Sequence, residues 1–183
     1  MRFPDLVLTV DRCLCDAGID HAFGGAIALS YYADPRATQD ADINIFLPFE
    51  RAAAVVGTLS EVGLEPELSA AEWSPSGGIR LAPVAGGAFR VDLFLSIDER
   101  YATIARRARR VPFGSPPSEI LILSLEDLVL FKLSFGRGKD WVDIGQIASA
   151  GFEPDLDYIE EQLIGLRGPA LYPRLARARA LFE

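Results

Sequence analysis

Residues 40–47, Asp-Ala-Asp-Ile-Asn-Ile-Phe-Leu, constrain this chain more than any other stretch. The first six alternate between polar and apolar, the period of a β-strand with one apolar face. Ala41, Ile43 and Ile45 suit a core, so the strand belongs inside a layered domain. Asp40, Asp42 and Asn44 then share the other face, with the two carboxylates about 7 Å apart along the chain. A second apolar run, Phe89 to Leu95, is interrupted by one acid, Asp92 between Val91 and Leu93. If the two strands are neighbours, three carboxylates converge on one patch. Converging carboxylates repel one another, and burying them costs more. Divalent cations that prefer oxygen ligands relieve both problems, and without one the repulsion destabilises the fold. A single such acid reads as a strand end or a solvent-facing side chain. The pair together with the third points to a site that binds Mg²⁺ or Mn²⁺ and performs phosphoryl chemistry.

Around these strands the spacing predicts mixed secondary structure. Leu6, Val7, Val10 and Leu14 recur at helical spacing within 4–18, and Gly18 follows as a stop. A short strand ends in Gly24–Gly25, and a helix is expected over 26–33. After strand 40–47 a helix is expected over 50–62, and then a looser Pro/Ser/Gly-rich section over 65–78. Two apolar segments flanking Ala-Gly-Gly read as a β-hairpin ending in the Asp92 strand. A helix over 98–109 and a strand Ser-Glu-Ile-Leu-Ile-Leu-Ser follow, and then helices over 124–136, 139–149, 155–166 and 169–182. This order predicts an α/β (α+β) fold, a mixed sheet flanked by helices. The expected division is a core over 1–123 and a C-terminal helical region over 124–183 packed on it, with no linker between them.

Composition bounds the function. Of 183 residues, 50% are hydrophobic and 24% charged, enough apolar material for one sizeable core. No apolar run approaches the roughly 18 residues that span a bilayer. The N-terminal stretch carries acids and lacks a small-residue cleavage site, so cytoplasmic location and no membrane partner are expected. The net charge of −8 repels polyphosphate backbones, which argues against duplex DNA as a partner. Basic residues cluster at Arg106, Arg107, Arg109 and Arg110 and at Arg174, Arg177 and Arg179, as solvated helix faces or as a docking surface for an acidic partner. Cys13 and Cys15 point apart on a helix, so they read as reduced thiols in core packing. The one histidine, His21, reads as structural.

Four further features bear on chemistry. Gly24–Gly25 lies between a strand and a helix, where glycines let a phosphate approach the backbone; alone the pair is also an ordinary tight turn. Lys132 shares the inward face of Leu128 and Val129, placed either to reach a phosphate or to extend to the surface. Asp127 follows Ser124 by three residues, a helix-capping pattern. Lys139 and Asp143 are spaced for an i,i+4 ion pair.

The segment AFGGAIALSYYADPRATQDADINIFL resembles the signature of small bacterial nucleotidyltransferase-like proteins in the DNA polymerase β superfamily. That signature is a glycine pair at a helix start followed by Arg-Ala-Thr-x-Asp-x-Asp. RVDLFL resembles the strand bearing the third carboxylate, and LSLEDLVLFKLSFGRGKDWVDIGQI the helical segment that follows. The matches cover roughly residues 20–150 and lean toward the toxin–antitoxin and abortive-infection branch. The resemblance implies a nucleotidyltransferase fold. It implies that Asp40, Asp42 and Asp92 are catalytic and bind Mg²⁺ or Mn²⁺. It implies that Gly24, Gly25, Thr38 and Lys132 contact the nucleotide. Many active members have Gly-Ser where this chain has Gly24–Gly25, so a hydroxyl contact to phosphate is missing here. The implied activity moves an NMP group from an NTP to a hydroxyl on a small molecule, protein or RNA end, with an antitoxin protein as partner. The alternative is a protein of this fold that binds nucleotide or a partner without catalysis.

Overall fold

The computed structural model describes residues 2–75 and 77–183; Met1 and Ser76, the latter within the looser 65–78 section, lie outside the described residues. Seven strands form one mixed sheet in the order β3-β4-β5-β2-β1-β7-β6. The strands are β1 His21–Phe23, β2 Asp40–Pro48, β3 Leu64–Pro66, β4 Ile79–Pro83, β5 Arg90–Ser96, β6 Arg109–Phe113 and β7 Ser118–Ile122. The helices are α1 Phe3–Asp16, α2 Gly25–Leu29, α3 Ala52–Ser60, α4 Tyr101–Arg107, α5 Leu125–Phe135, α6 Gly138–Ser149, α7 Leu156–Arg167 and α8 Tyr172–Phe182.

The alternation in β2 is used as its period demands. Ala41, Ile43 and Ile45 are fully buried on one face. His21 lies opposite Ile45 in the antiparallel β1–β2 pair and reaches α1, so that face looks toward α1. Cys13 of α1 donates its thiol to the Thr58 carbonyl of α3 at 3.3 Å, which ties the two helices together. Cys15, two residues on, points elsewhere and is exposed, so core packing holds for only one of the thiols. β4 and β5 form the expected antiparallel hairpin, and β5 pairs in parallel with β2.

Two elements differ from the sequence reading. The expected helix over 98–109 ends at Arg107, and Arg109–Phe113 instead forms β6, antiparallel to β7. Pro112 is tolerated there because β6 is an edge strand. The four arginines therefore do not form one helix face: Arg107 pairs with Glu126 and stacks on Tyr158, while Arg109 lies over Tyr32. At the other edge, Leu64–Pro66 inside the looser section pairs with β4. Three residues are too few for periodicity to reveal such a strand.

The C-terminal helices share one hydrophobic cluster with the sheet: Leu128, Val129, Ile144, Ile159 and Leu163 join Ile43 and Leu93 in it. Ser124 caps α5 as its spacing predicted, accepting from the Asp127 N–H at 3.2 Å. Gly136 closes α5 at φ 63°. Arg174 of α8 donates to the Leu133 and Ser134 carbonyls at 2.7 and 2.8 Å, satisfying acceptors that a helix end leaves open. Arg177 stacks on Trp141 and Arg179 pairs with Asp157 and Glu160, so this basic run binds the helical region to itself. Because Ile144 is fully buried in the shared cluster, Ile144→Ala is expected to cost about 2–5 kcal/mol in one unfolding transition. Denaturant titration followed by both far-UV signal and tryptophan fluorescence checks this; two separated transitions would contradict it.

Candidate active site

The β2–β5 register places Asp42 directly beside Asp92, and Asp40 beside Arg90. Because side chains two apart on a strand share a face, Asp40 and Asp42 project on the side of the sheet away from α1. Asp40, Asp42 and Asp92 therefore share one face of the sheet at neighbouring register positions, although their carboxylate oxygens do not all lie within 4.8 Å of one another. Their surroundings differ. Asp40 is at the rim with 40% of its side chain exposed, and Asp92 keeps only 14%. Asp42 is recessed, and its carboxyl is pushed up to about 6, first by burial and then by the charge of Asp92.

Arg80 of β4 lies opposite Asp92 and was missed by the sequence reading. Its Nε and Nη2 donate to the two Asp92 oxygens at 2.8 and 2.7 Å, and Nη2 lies 3.7 Å from Asp40 Oδ1. The repulsion expected among all three acids is thus partly neutralised within the chain, and the uncompensated share falls on Asp42. Hairpin pairing could have suggested an arginine near Asp92, but its reach to Asp40 depends on the sheet.

The glycine pair fits against this cluster. The Gly24 N–H donates to the Asp42 carbonyl at 2.8 Å, tying the turn to β2. Gly25 has φ 50°, and a Cβ there would sit 1.8 Å from Asp42 Oδ2. The Asp42 carboxylate lies where a side chain at position 25 would be. Thr38 turns its hydroxyl to the Asp40 backbone, donating to the carbonyl at 3.0 Å and accepting from the N–H at 3.2 Å. That clip holds the start of β2.

A narrow cleft runs from Asp42 and Gly25 to α5 and α6. Phe94, Phe131 and Phe135 give it an aromatic wall, and Arg36, Lys132, Arg137 and Lys139 make it cationic. Lys132 is buried and donates to Asp143 Oδ2 at 2.6 Å. Arg36 grips the same carboxylate at 3.0 and 3.1 Å. Burial alone would raise the Asp143 carboxyl, but hydrogen bonds from Arg36 and Lys132 hold it below the usual value. The i,i+4 pair expected between Lys139 and Asp143 is not formed. Asp143 turns inward to Lys132 and Arg36, and Lys139 is exposed without an ion-pair partner among the described residues. Arg137, missed earlier, is bidentate to Asp140 and stacks 4.8 Å over Phe135.

Asp127 is fully buried and accepts from the Tyr158 hydroxyl at 2.8 Å as well as from Ser124, away from the acid cluster. His21 bridges the Ile19 carbonyl and Asp11 at 2.9 and 3.1 Å on the α1 side of the sheet, fitting a structural role. With Asp11 and Cys15 it forms a group whose ligand atoms lie within 4.8 Å of one another.

The family model described as "Nucleotidyl transferase AbiEii toxin, Type IV TA system" matches residues 12–170. No curated protein matches the sequence. Among solved structures, the chain resembles the antibiotic-resistance factor ANT(2'')-Ia at 13% identity and TM-score 0.61, covering 97% of this chain and 96% of that one. It resembles an antigenic nucleotidyltransferase-like protein from Paracoccidioides brasiliensis at 19% identity and TM-score 0.56, covering 96% and 90%. It also resembles the lincosamide antibiotic adenylyltransferase LnuA at 14% identity and TM-score 0.57, covering 82% and 98%. These likenesses establish the nucleotidyltransferase fold.

Two predictions follow from the geometry. The Asp42 carboxyl rises from 3.8 to about 6 on folding. Below the lower value both states are protonated and nothing is lost; between the two the folded state holds the extra proton, so stability falls as pH rises. Above the upper value ionised Asp42 costs the metal-free fold about 3 kcal/mol. In EDTA, Asp42→Asn is therefore expected to melt above the unsubstituted protein near neutral pH, with the gap closing toward about pH 4. A gap independent of pH, or a less stable variant throughout, contradicts this account. Gly25→Ala forces both the overlap with Asp42 and a left-handed backbone, so a loss of at least about 2 kcal/mol is expected in thermal or urea unfolding.

Proposed function

We propose, for a chain that belongs to the AbiEii nucleotidyltransferase toxin family, metal-dependent transfer of an NMP group from an NTP to a hydroxyl. Membership makes the chain a nucleotidyltransferase; the metal, acceptor and residue roles are our reading. The observation that supports it is the register of β2 and β5, which sets Asp42 beside Asp92 on the sheet face that also carries Asp40, with Asp42 lining a cationic cleft. The donor set fits a divalent cation of the Mg²⁺ or Mn²⁺ class: all three groups are carboxylates, and Asp42 lacks an ion-pair partner among the described residues. When bound, the cation neutralises the phosphates and brings the reacting oxygens into line.

The chain's own residues divide the remaining work. Asp40 and Asp42 would hold the cation that carries the triphosphate, and Asp92 would complete the set toward the acceptor hydroxyl. Gly24 and Gly25, at the start of α2 against Asp42, are the turn we assign to the terminal phosphates. Thr38 supports nucleotide binding by holding the Asp40 backbone. Lys132, fixed by Asp143, supplies fixed positive charge at the cleft wall, and exposed Lys139 supplies charge from α6. As the acceptor oxygen bonds to the α-phosphorus, the bond to the β-phosphate oxygen breaks and pyrophosphate leaves. The hydroxyl proton passes to the carboxylate cluster. On this reading 1–123 supplies the three acids together with Arg36, and 124–183 adds Lys132, Arg137 and Lys139.

The family description supports an antitoxin protein as partner. We place the activity in the cytoplasm, where NTPs are supplied; no helix among the described residues is long and apolar enough to cross a membrane. The acceptor is a small molecule, protein or RNA end rather than duplex DNA, in keeping with the net charge of −8. The experiment is transfer of α-phosphate label from each NTP, with Mg²⁺ or Mn²⁺, to total RNA, total protein, small hydroxyl compounds or duplex DNA. Metal-dependent labelling outside duplex DNA is expected, falling roughly 10²–10³-fold in folded Asp42→Asn and Asp92→Asn. Stabilisation by metal and NTP without any label transfer would favour the non-catalytic alternative. Neither stabilisation nor transfer would sink the site reading.

A further inference from the structure

Both oxygens of Asp92 are already engaged by one cation of the chain itself. The β4–β5 register sets Arg80 opposite Asp92, and the β5–β2 register sets Asp92 beside Asp42. The guanidinium spans Asp92 Oδ1 and Oδ2 at 2.8 and 2.7 Å, the two-pronged arrangement in which planar guanidinium and carboxylate match best. The same Nη2 stands 3.7 Å from Asp40. One fixed positive charge thus serves two of the three acids, while Asp42 has no direct ion pair among the described residues.

A divalent cation bridging Asp92 needs the lone pairs that Arg80 holds, and two cations at that separation repel each other. The Arg80 side chain is 46% exposed, so it can leave without opening the core. Glu67, the nearby acid across β3, is taken by Arg90 at 2.6 Å. The remaining acid within reach of Arg80 is Asp40, at 3.7 Å, and once a cation occupies Asp40 an incoming anion is the natural partner of the released guanidinium.

We propose that Arg80 is the internal counter-ion of the carboxylate cluster and competes with the divalent cation for Asp92. This rests on the metal reading above and makes Arg80 a positioning residue. Metal loads first at Asp40 and Asp42, and a cation reaches Asp92 only when a polyphosphate draws Arg80 off. In the metal-free protein the same arginine keeps β4, β5 and β2 from being forced apart by their acids. The cleft is therefore held in a one-cation state until nucleotide arrives, which ties full metal loading to substrate.

The test is Mn²⁺ binding to the full chain, followed by the resonance signal of free Mn²⁺, for the unsubstituted protein, Arg80→Gln and Arg80→Lys. The unsubstituted protein is expected to bind one Mn²⁺ and to bind a second about tenfold more weakly. Inorganic tripolyphosphate should narrow that gap. Arg80→Gln should tighten the second site about tenfold without tripolyphosphate and lower the melting temperature in EDTA, with Arg80→Lys between the two. Equal or weaker second-site binding in Arg80→Gln overturns this inference and leaves the metal reading standing. If no protein binds Mn²⁺ with or without tripolyphosphate, both fall.

Discussion

The parallel register of β2 against β5 sets Asp42 beside Asp92, and much of the rest of the molecule accommodates that contact. Two carboxylates at neighbouring positions of a sheet repel, and the recess around Asp42 strengthens the repulsion by removing water. The chain answers with cations from three directions. Arg80 comes from the adjacent strand, Lys132 from α5 and Lys139 from α6; the lysines act on Asp42 only through space. The turn at Gly25 gives up its side chain so that the carboxylate has somewhere to lie.

Charge is distributed unevenly as a result. Asp143 takes both Arg36 and Lys132 and is held ionised, while Asp42 is left without direct ion pairing among the described residues. The fold thus holds Asp143 ionised and leaves the recessed Asp42 uncompensated. Local stability is given up where a ligand is expected to restore it, because binding to the folded state stabilises that state by mass action. Phe94, two residues along β5 from Asp92, packs against Phe135 with ring centroids 5.7 Å apart and gives the cleft an apolar wall beside the acids.

The chain as a whole is strongly acidic, yet its cleft is lined by arginine and lysine. Net charge governs long-range encounters and speaks against extended polyanions, whereas the local cations act on a short polyphosphate at contact distance. In both arginine runs some members make intramolecular contacts, while Arg106, Arg109, Arg110 and Arg177 stay exposed. Arg107 and Arg174 stitch the helical region together, and Arg177 and Arg179 brace α8 against α6 and α7.

Sequence alone determined the features with short-range periodicity. Alternation over 40–45 assigned a strand, an apolar face and a carboxylate face, because side-chain direction in a strand repeats every two residues whatever surrounds it. The same reasoning found the Asp92 strand, the hairpin and the long helices, including the Ser124 cap. Only tertiary structure decided which strands became neighbours, and with that the Asp42–Asp92 contact, the grip of Arg80 and the choice of Asp143's partners. Lys139 and Asp143 have ideal helical spacing, but a pair worth a few tenths of a kcal/mol on a helix surface yields to two cations brought to a buried carboxylate by distant segments. The three-residue β3 and the arginine-rich β6 likewise exist because sheet edges pair with them, not because their residues favour strands on their own.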